Sequence, residues 1–558
     1  MVLQVRKTWI KTVVTMDIGA FRTKETVLEC PGDSRVFYST QLRKLVPLHC
    51  TFGFDVIVAV GMALFVDCRN NQEIIQEMAC KNVFISEREI SYLGRKFIIY
   101  LALAHRESQK LLRESIACRG GYILHVDGTC EGDSPHLFCG LDGISELILD
   151  SIKIPSESKE QLVPFFQRIK EQYGSPLALV HDMGKGIVSA TDEVFPGLPD
   201  FICHFHFLRD IGKDTLHEDY VALQKRLRKL KTRSLLRLKA IYLGKKIRVD
   251  SQTIIEIKRS IEKGACETVS FEHIPLISAY ALIQWVFDSS CKSRGYGFPF
   301  DRIDLDFYRR LHTVRSTIGS IINSRRGNEN KPLIQVYRLL NDAVKDKKLN
   351  DLASSLESKA AVFDRLRKAM RIALPDGTNG LNDDGEDVAM STIKEKVVSF
   401  RQWLTSNSAR RKKYVKMVEQ IDKYWERLFA DPICLMTPEG KIYIQPQRTN
   451  NILERFFRAE KRRSRKKAGI LSLNKVLKVI LAETPLVQNL KNQKYFEIIL
   501  NGCSSLAERF SKIDADLVHK RMLEAQNNKE RISPSIKKLV KHPDLPEKIS
   551  TLFATVAK

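Results

Sequence analysis

The chain has 558 residues, too many for one ordinary domain, and 43% of them are hydrophobic, ample for buried cores; overall disorder is excluded. Lys and Arg number 91 against 66 Asp and Glu, a formal charge of +25, which favours a polyanionic partner, with nucleic acid ahead of an acidic membrane surface. The most apolar stretch, 56–66, is too short to cross a bilayer and is followed by Asp67 and Arg69, so no membrane span is expected; the twelve cysteines form no C-x-x-C pair, and with no secretory signal they read as reduced intracellular thiols.

Residues 1–120 read as a mostly helical N-terminal region. Residues 71–79 form a short amphipathic helix with Ile74, Ile75 and Met78 on one side. After a break at 81–84, Ser86-Glu87-Arg88-Glu89 is a capping-box start for a helix running through Ile90, Leu93, Phe97 and Tyr100 towards His105. Helix, short turn, helix on a basic chain fits a helix-turn-helix DNA reader; a plain helical hairpin fits too.

From Gly121 the pattern turns to strands. Residues 122–126, 136–140 and 147–154 are apolar runs, with Asp142-Gly143 as a turn between the second and third. Residues 158–173 are a helix closed by Gly174, with Pro164 inside it. Residues 177–180 are a fourth strand, 186–194 a short helix, and 201–207 a fifth strand or strand-to-helix edge. This order predicts a mixed α/β sheet over 121–214, not a doubly wound one.

Strand signals then fade, and 215–440 read as a helical insertion. Its 224–248 segment alternates leucines with Lys225, Arg226, Arg228, Lys229, Lys231, Arg233, Arg237 and Lys239: an amphipathic basic helix pair, either along a DNA backbone or simply solvated. The Gly- and Asp-rich 375–387 segment reads as a disordered loop, and helical pattern returns over 392–428. Residues 441–490 hold a last helix with a basic tract, and 491–558 a C-terminal helical tail.

Asp127 and Asp182 each stand just past an apolar strand, where ligands gather on open α/β sheets. On adjacent parallel strands their carboxylates would converge as hard oxygen ligands for Mg²⁺ or Mn²⁺. Gly128 and Gly184 follow closely and would let a phosphate backbone approach. Either aspartate alone reads equally as a turn or helix cap. Glu454 begins a helix after Thr449 or Asn450 as N-cap, opposite a stripe of Ile452, Leu453, Phe456 and Phe457. It could face the aspartates or simply pair with Arg458. The cations Arg455, Arg458, Lys461, Arg462, Arg463, Arg465, Lys466 and Lys467 could hold a DNA strand against an acidic site, or form a solvated face or a nuclear-type signal. Cys203 and His206 are spaced like two zinc ligands without a second pair, so a buried structural role is the plainer reading.

The segments HVDGT (125–129), VHDMGKGI (180–187), ICHFHFLRDIG (202–212) and TNNILERFFRAEKRRSRKKAG (449–469) together resemble DDE transposases, in particular the Mutator-like group and its insertion-sequence relatives. The resemblance covers about 120–215 and 440–470, and the insertion only by size and helicity. It implies an RNase H-like catalytic core interrupted by the all-helical insertion. It also implies a triad of Asp127, Asp182 and Glu454 as ligands to two Mg²⁺ or Mn²⁺ ions, with Cys203 and His206 as a C-x-x-H motif of uncertain role. The implied activity is DNA transposition: cleavage at transposon ends, then strand transfer of the 3′-hydroxyl into target DNA. The implied partners are double-stranded DNA, both terminal inverted repeats and target, and further copies of the chain. In a prokaryotic host the implied location is the cytoplasm, at the nucleoid. A catalytically inactive, domesticated DNA-binding descendant is the alternative.

Overall fold

The computed structural model describes residues 3–32, 35–248, 251–263, 274–288, 295–323, 330–374, 389–437, 440–469, 472–527 and 544–556. They form two compact units, one of residues 1–200 with 432–558, the other of residues 201–431.

The first unit opens with an antiparallel sheet of β1 (Gln4–Thr15), β2 (Gly19–Glu29) and β3 (Val36–Phe37). The mostly helical reading of this region missed these strands, whose Thr, Val and Ile residues are stiff at Cβ and favour extended backbone. Five helices follow: α1 (Thr40–Leu45), α2 (Phe54–Phe65), α3 (Asn71–Ala79), α4 (Glu87–Glu107) and α5 (Gln109–Ala117). Reciprocal capping boxes start α3 at Asn70/Glu73 and α4 at Ser86/Glu89.

Within α4 every residue from Lys96 to His105 is buried, while Glu87, Arg88 and Ser91 near its start are exposed. Its buried half is a strut in an apolar cluster that runs from Val13 through the central sheet to Met522. Phe510 stacks on Tyr100 at a centroid distance of 5.1 Å. The 491–558 segment is therefore core as far as Met522, rather than a tail throughout.

The central sheet comprises β4 (Ile123–Thr129), β5 (His136–Asp142), β6 (Leu147–Ile154), β7 (Ala178–His181) and β8 (Asp200–Ile202), in the order β6-β5-β4-β7-β8. β4, β5 and β6 form an antiparallel meander, and β7 lies parallel to β4. The crossover between β6 and β7 is α6 (Lys159–Tyr173), and α7 (Lys185–Val194) follows β7. β4 is central and buried from Ile123 to Asp127, so it reads as a continuous apolar run rather than an alternating one. β8 ends at Ile202 and Cys203 is the N-cap of a helix, so of the two readings of 201–207 the strand-to-helix edge is the one that forms.

The second unit is helical among its described residues, beginning with α8 (His204–Lys229) and α9 (Thr232–Lys246). The basic 224–248 segment is only partly a solvated face. Arg226 pairs with Asp346 and Arg233 with Asp304, which turns part of its charge inward. The 375–387 segment lies outside the described residues. The chain re-enters the first unit through an unexpected hairpin of β9 (Ile433–Thr437) and β10 (Gly440–Ile444), followed by the helix Asn451–Ala468 that carries Glu454.

Candidate active site

β4 and β7 bring the two aspartates side by side. Their parallel register pairs Ile123 with Ala178, Leu124 with Leu179 and His125 with Val180; Asp127 lies two residues further along β4, and Asp182 directly follows the last residue of β7. Asp127 is buried at 6% exposure, and its Oδ1 accepts the Gly128 N–H at 2.8 Å. Asp182 Oδ1 accepts the Gly184 N–H at 3.0 Å. Beneath it, His181 is fully buried, with Nδ1 on the Asp182 carbonyl oxygen and Nε2 on the Asp200 carboxylate. Burial alone would lower the His181 pKa, but the hydrogen bond and charge of Asp200 outweigh it and hold it above its ordinary value. His181 thus links the end of β7 to Asp200.

The Glu454 helix is tied to β4 by Asn450. Its Nδ2 donates to the Val126 carbonyl oxygen at 2.9 Å, and its Oδ1 meets His125 Nδ1 at 3.0 Å. Because the amide oxygen accepts, His125 carries its proton on Nδ1. Asn450 precedes the helix as expected, but its side chain makes no capping hydrogen bond; it reaches across to the strand instead. Ile452, Leu453, Phe456 and Phe457 are buried, the stripe the sequence pattern gave. The Glu454 side chain is 18% exposed and meets Arg458 at 3.4 Å, so the simple ion pair does form.

Glu454 also acts on Asp127. The Asp127 carboxyl is held well above the usual carboxylate range, first by burial, then by the negative charges of Asp182 and Glu454, with Glu157 adding to them and the Gly128 N–H opposing. Three acidic side chains far apart in sequence are thus electrostatic neighbours. Oxygen donors of like charge, one of them desolvated, fit a hard divalent cation, which would relieve their repulsion. They are not drawn into a closed cage: among the described residues no three His, Cys, Asp or Glu side chains form a ready-made metal cluster. Cys203, buried at the start of α8, and the half-buried His206 likewise gain no zinc-ligand set.

Glu157 was missed by sequence reasoning. It lies in the turn between β6 and α6, where an acid before a helix reads as ordinary N-terminal charge. Its Oε1 accepts from His136 Nδ1 at 2.9 Å. A Cβ added at Gly128 would stand 2.2 Å from that oxygen, and one at Gly186 would stand 1.9 Å from the Glu157 carbonyl oxygen. The expectation that Gly128 opens a path for phosphate is therefore corrected: the space is taken by Glu157. Gly184 instead gives its N–H to Asp182.

The basic tract continues the Glu454 helix. Arg458, Lys461 and Arg465 follow Glu454 at helical spacing, so they extend along its face. Lys461, Arg462, Arg465 and Lys466 are exposed, and Arg455 pairs with Glu146 at 3.2 Å. The side chains of Arg463 and Lys467 lie outside the described residues. No family model matches this chain, and a search of curated proteins finds no match either.

Proposed function

We propose that this chain is a DDE-type transposase, built on an RNase H-like core, that cuts DNA at the ends of a mobile element and joins them to target DNA. The observation that carries this reading is geometric: Asp127 lies on β4, Asp182 directly follows β7, the parallel neighbour of β4, and Asn450 at the start of the Glu454 helix donates to the Val126 carbonyl oxygen of β4. The strand order β6-β5-β4-β7-β8, with a meander followed by a parallel crossover, supports the same core. So does the exposed basic stripe on the Glu454 helix.

In this reading Asp127, Asp182 and Glu454 are ligands rather than proton shuttles. Two Mg²⁺ or Mn²⁺ ions held by these carboxylates would supply activation of the attacking oxygen and stabilisation of the leaving one. The chain's own residues fix the ligands. Gly128 and Gly184 orient the aspartates through their N–H groups, the His181–Asp200 pair holds the β7 end, and Asn450 holds the Glu454 helix on β4. Arg458, Lys461 and Arg465 would lie along the DNA backbone and hold the scissile strand. Water first attacks a phosphodiester at the element's end; the new P–O bond replaces the bond to the 3′ oxygen, leaving a 3′-hydroxyl and a 5′-phosphate. That hydroxyl then attacks a target phosphate and displaces the target's own 3′ oxygen. The two element ends need two active sites, so self-association is part of the reading.

The test uses the full chain, Mg²⁺ and DNA from both flanks of its coding sequence, with Asp182→Asn as control. Cutting that the control abolishes supports the proposal. Binding without cutting indicates the inactive descendant, and neither binding nor cutting ends the reading.

A further inference from the structure

We propose that the bare face of the β1–β2 ribbon is a duplex-reading surface that enters the DNA major groove; this rests on the transposase reading and supplies its recognition element. The antiparallel register pairs Thr8 with Thr26, Ile10 with Lys24 and Thr12 with Arg22. Opposed residues of such a pair share a face, and all six of these are exposed. The face carries two cations, three hydroxyl side chains and one aliphatic, with no acid among them. Ile10, 69% exposed, is the aliphatic member of this face.

The opposite face is anchored to the rest of the first unit. Val13 and Val27 are completely buried, and Glu25 accepts from Trp9 Nε1 at 3.0 Å, from Arg43 at 3.0 and 2.9 Å, and from the Ser39 N–H at 3.2 Å. This network fixes the ribbon to the first unit and aims its other face outward. Among the described residues neither Arg22 nor Lys24 has an ion-pair partner, so both charges are available.

Shape and charge agree on the occupant. Two strands lie about 4.8 Å apart, and the major groove, about 12 Å wide, admits such a ribbon. Arg22 and Lys24 match phosphates or guanine acceptors, the threonines either partner of a base pair, and Ile10 a thymine methyl.

The test compares the full chain with an Arg22→Ser/Lys24→Ser variant and an Ile10→Ser variant. A Lys347→Ser/Lys348→Ser variant, altering two exposed cations of the second unit, is the charge-matched control. The probe is a random-sequence duplex pool, with selection for bound sequences and affinity measured across a salt series. All variants should melt like the wild type, since the altered side chains are exposed. The wild type and the control should enrich a common motif. The ribbon double variant should lose the motif, and its slope of log affinity against log salt should be shallower by about 1.8, at about 0.9 per lost phosphate contact. Ile10→Ser should relax the motif with the slope unchanged. An unchanged motif and slope in the double variant overturn the proposal. So does a change confined to sedimentation, which would mean that the face holds a second copy. If the ribbon variants still cut and bind as the wild type does, only the ribbon fails; if the wild type binds no duplex, the transposase reading fails with it.

Discussion

Asn450 and His125, 325 positions apart in the chain, share a buried hydrogen bond of 3.0 Å, and the same asparagine donates to the Val126 carbonyl oxygen. This one side chain ties the returning helix to the central strand two residues before Asp127. Asn450→Ala should therefore orphan a buried imidazole N–H and a buried carbonyl, costing about 1–3 kcal/mol for each unsatisfied group. Thermal melting should fall by several degrees and DNA cutting should drop with it. Unchanged melting would show that the tether carries no weight.

Asp127 is expected to be a stability cost in the metal-free protein. Its folded carboxyl titrates above its unfolded range of about 3.9, so between those two values the native state binds the extra proton. Stability conferred by that proton is present at low pH and lost as pH rises through the raised value. In EDTA at neutral pH, Asp127→Asn should melt higher than wild type and the gap should close towards pH 4, while cutting is abolished. A variant that melts lower in EDTA would contradict the cause assigned here.

His105 has the opposite dependence. It is fully buried between Tyr495, Tyr173 and the Leu149 carbonyl oxygen, and burial lowers its pKa from 6.5 to about 4. Between those values the unfolded chain takes up a proton that the folded chain refuses, so stability rises with pH across this window. Acidification from pH 6.5 to 4 should cost about 3 kcal/mol through this residue alone. Urea midpoints measured across that range should fall, and His105→Gln, less stable at neutral pH, should show a flatter slope. Parallel slopes for the two proteins would rule out His105 as the source.

Glu157 and its two glycines allow a paired comparison. Glu157→Gln removes one negative charge from beside Asp127 and should weaken Mg²⁺ binding severalfold, with little loss of stability, because the His136 pair is partly exposed. Gly128→Ala should mimic it, since the new methyl meets the mobile end of the Glu157 side chain. Gly186→Ala meets backbone oxygen instead and should destabilise by about 1–3 kcal/mol. Calorimetric Mg²⁺ titration and melting of the three variants would separate these effects; equal melting losses at 128 and 186 would refute the distinction.

Local rules made much of this chain legible from its sequence. The cap at Ser86, the helix ending at Gly174, the apolar runs of β4 to β7 and the buried stripe beside Glu454 follow from side-chain geometry and spacing within a few residues. The acidic candidates Asp127, Asp182 and Glu454 were legible because strand ends and helix starts mark where a side chain projects. Tertiary structure alone decided whether they meet. Strand register, the return of the chain after residue 431 and the Asn450 tether are long-range pairings, and no local window encodes them. The same limit hid Glu157, whose turn becomes part of the site only when Gly128 and Gly186 let it close in. An amphipathic helix such as α4 looks the same in sequence whether its apolar face turns to a large core or a small one, and only packing against Phe510 and its neighbours determines how much of it remains exposed.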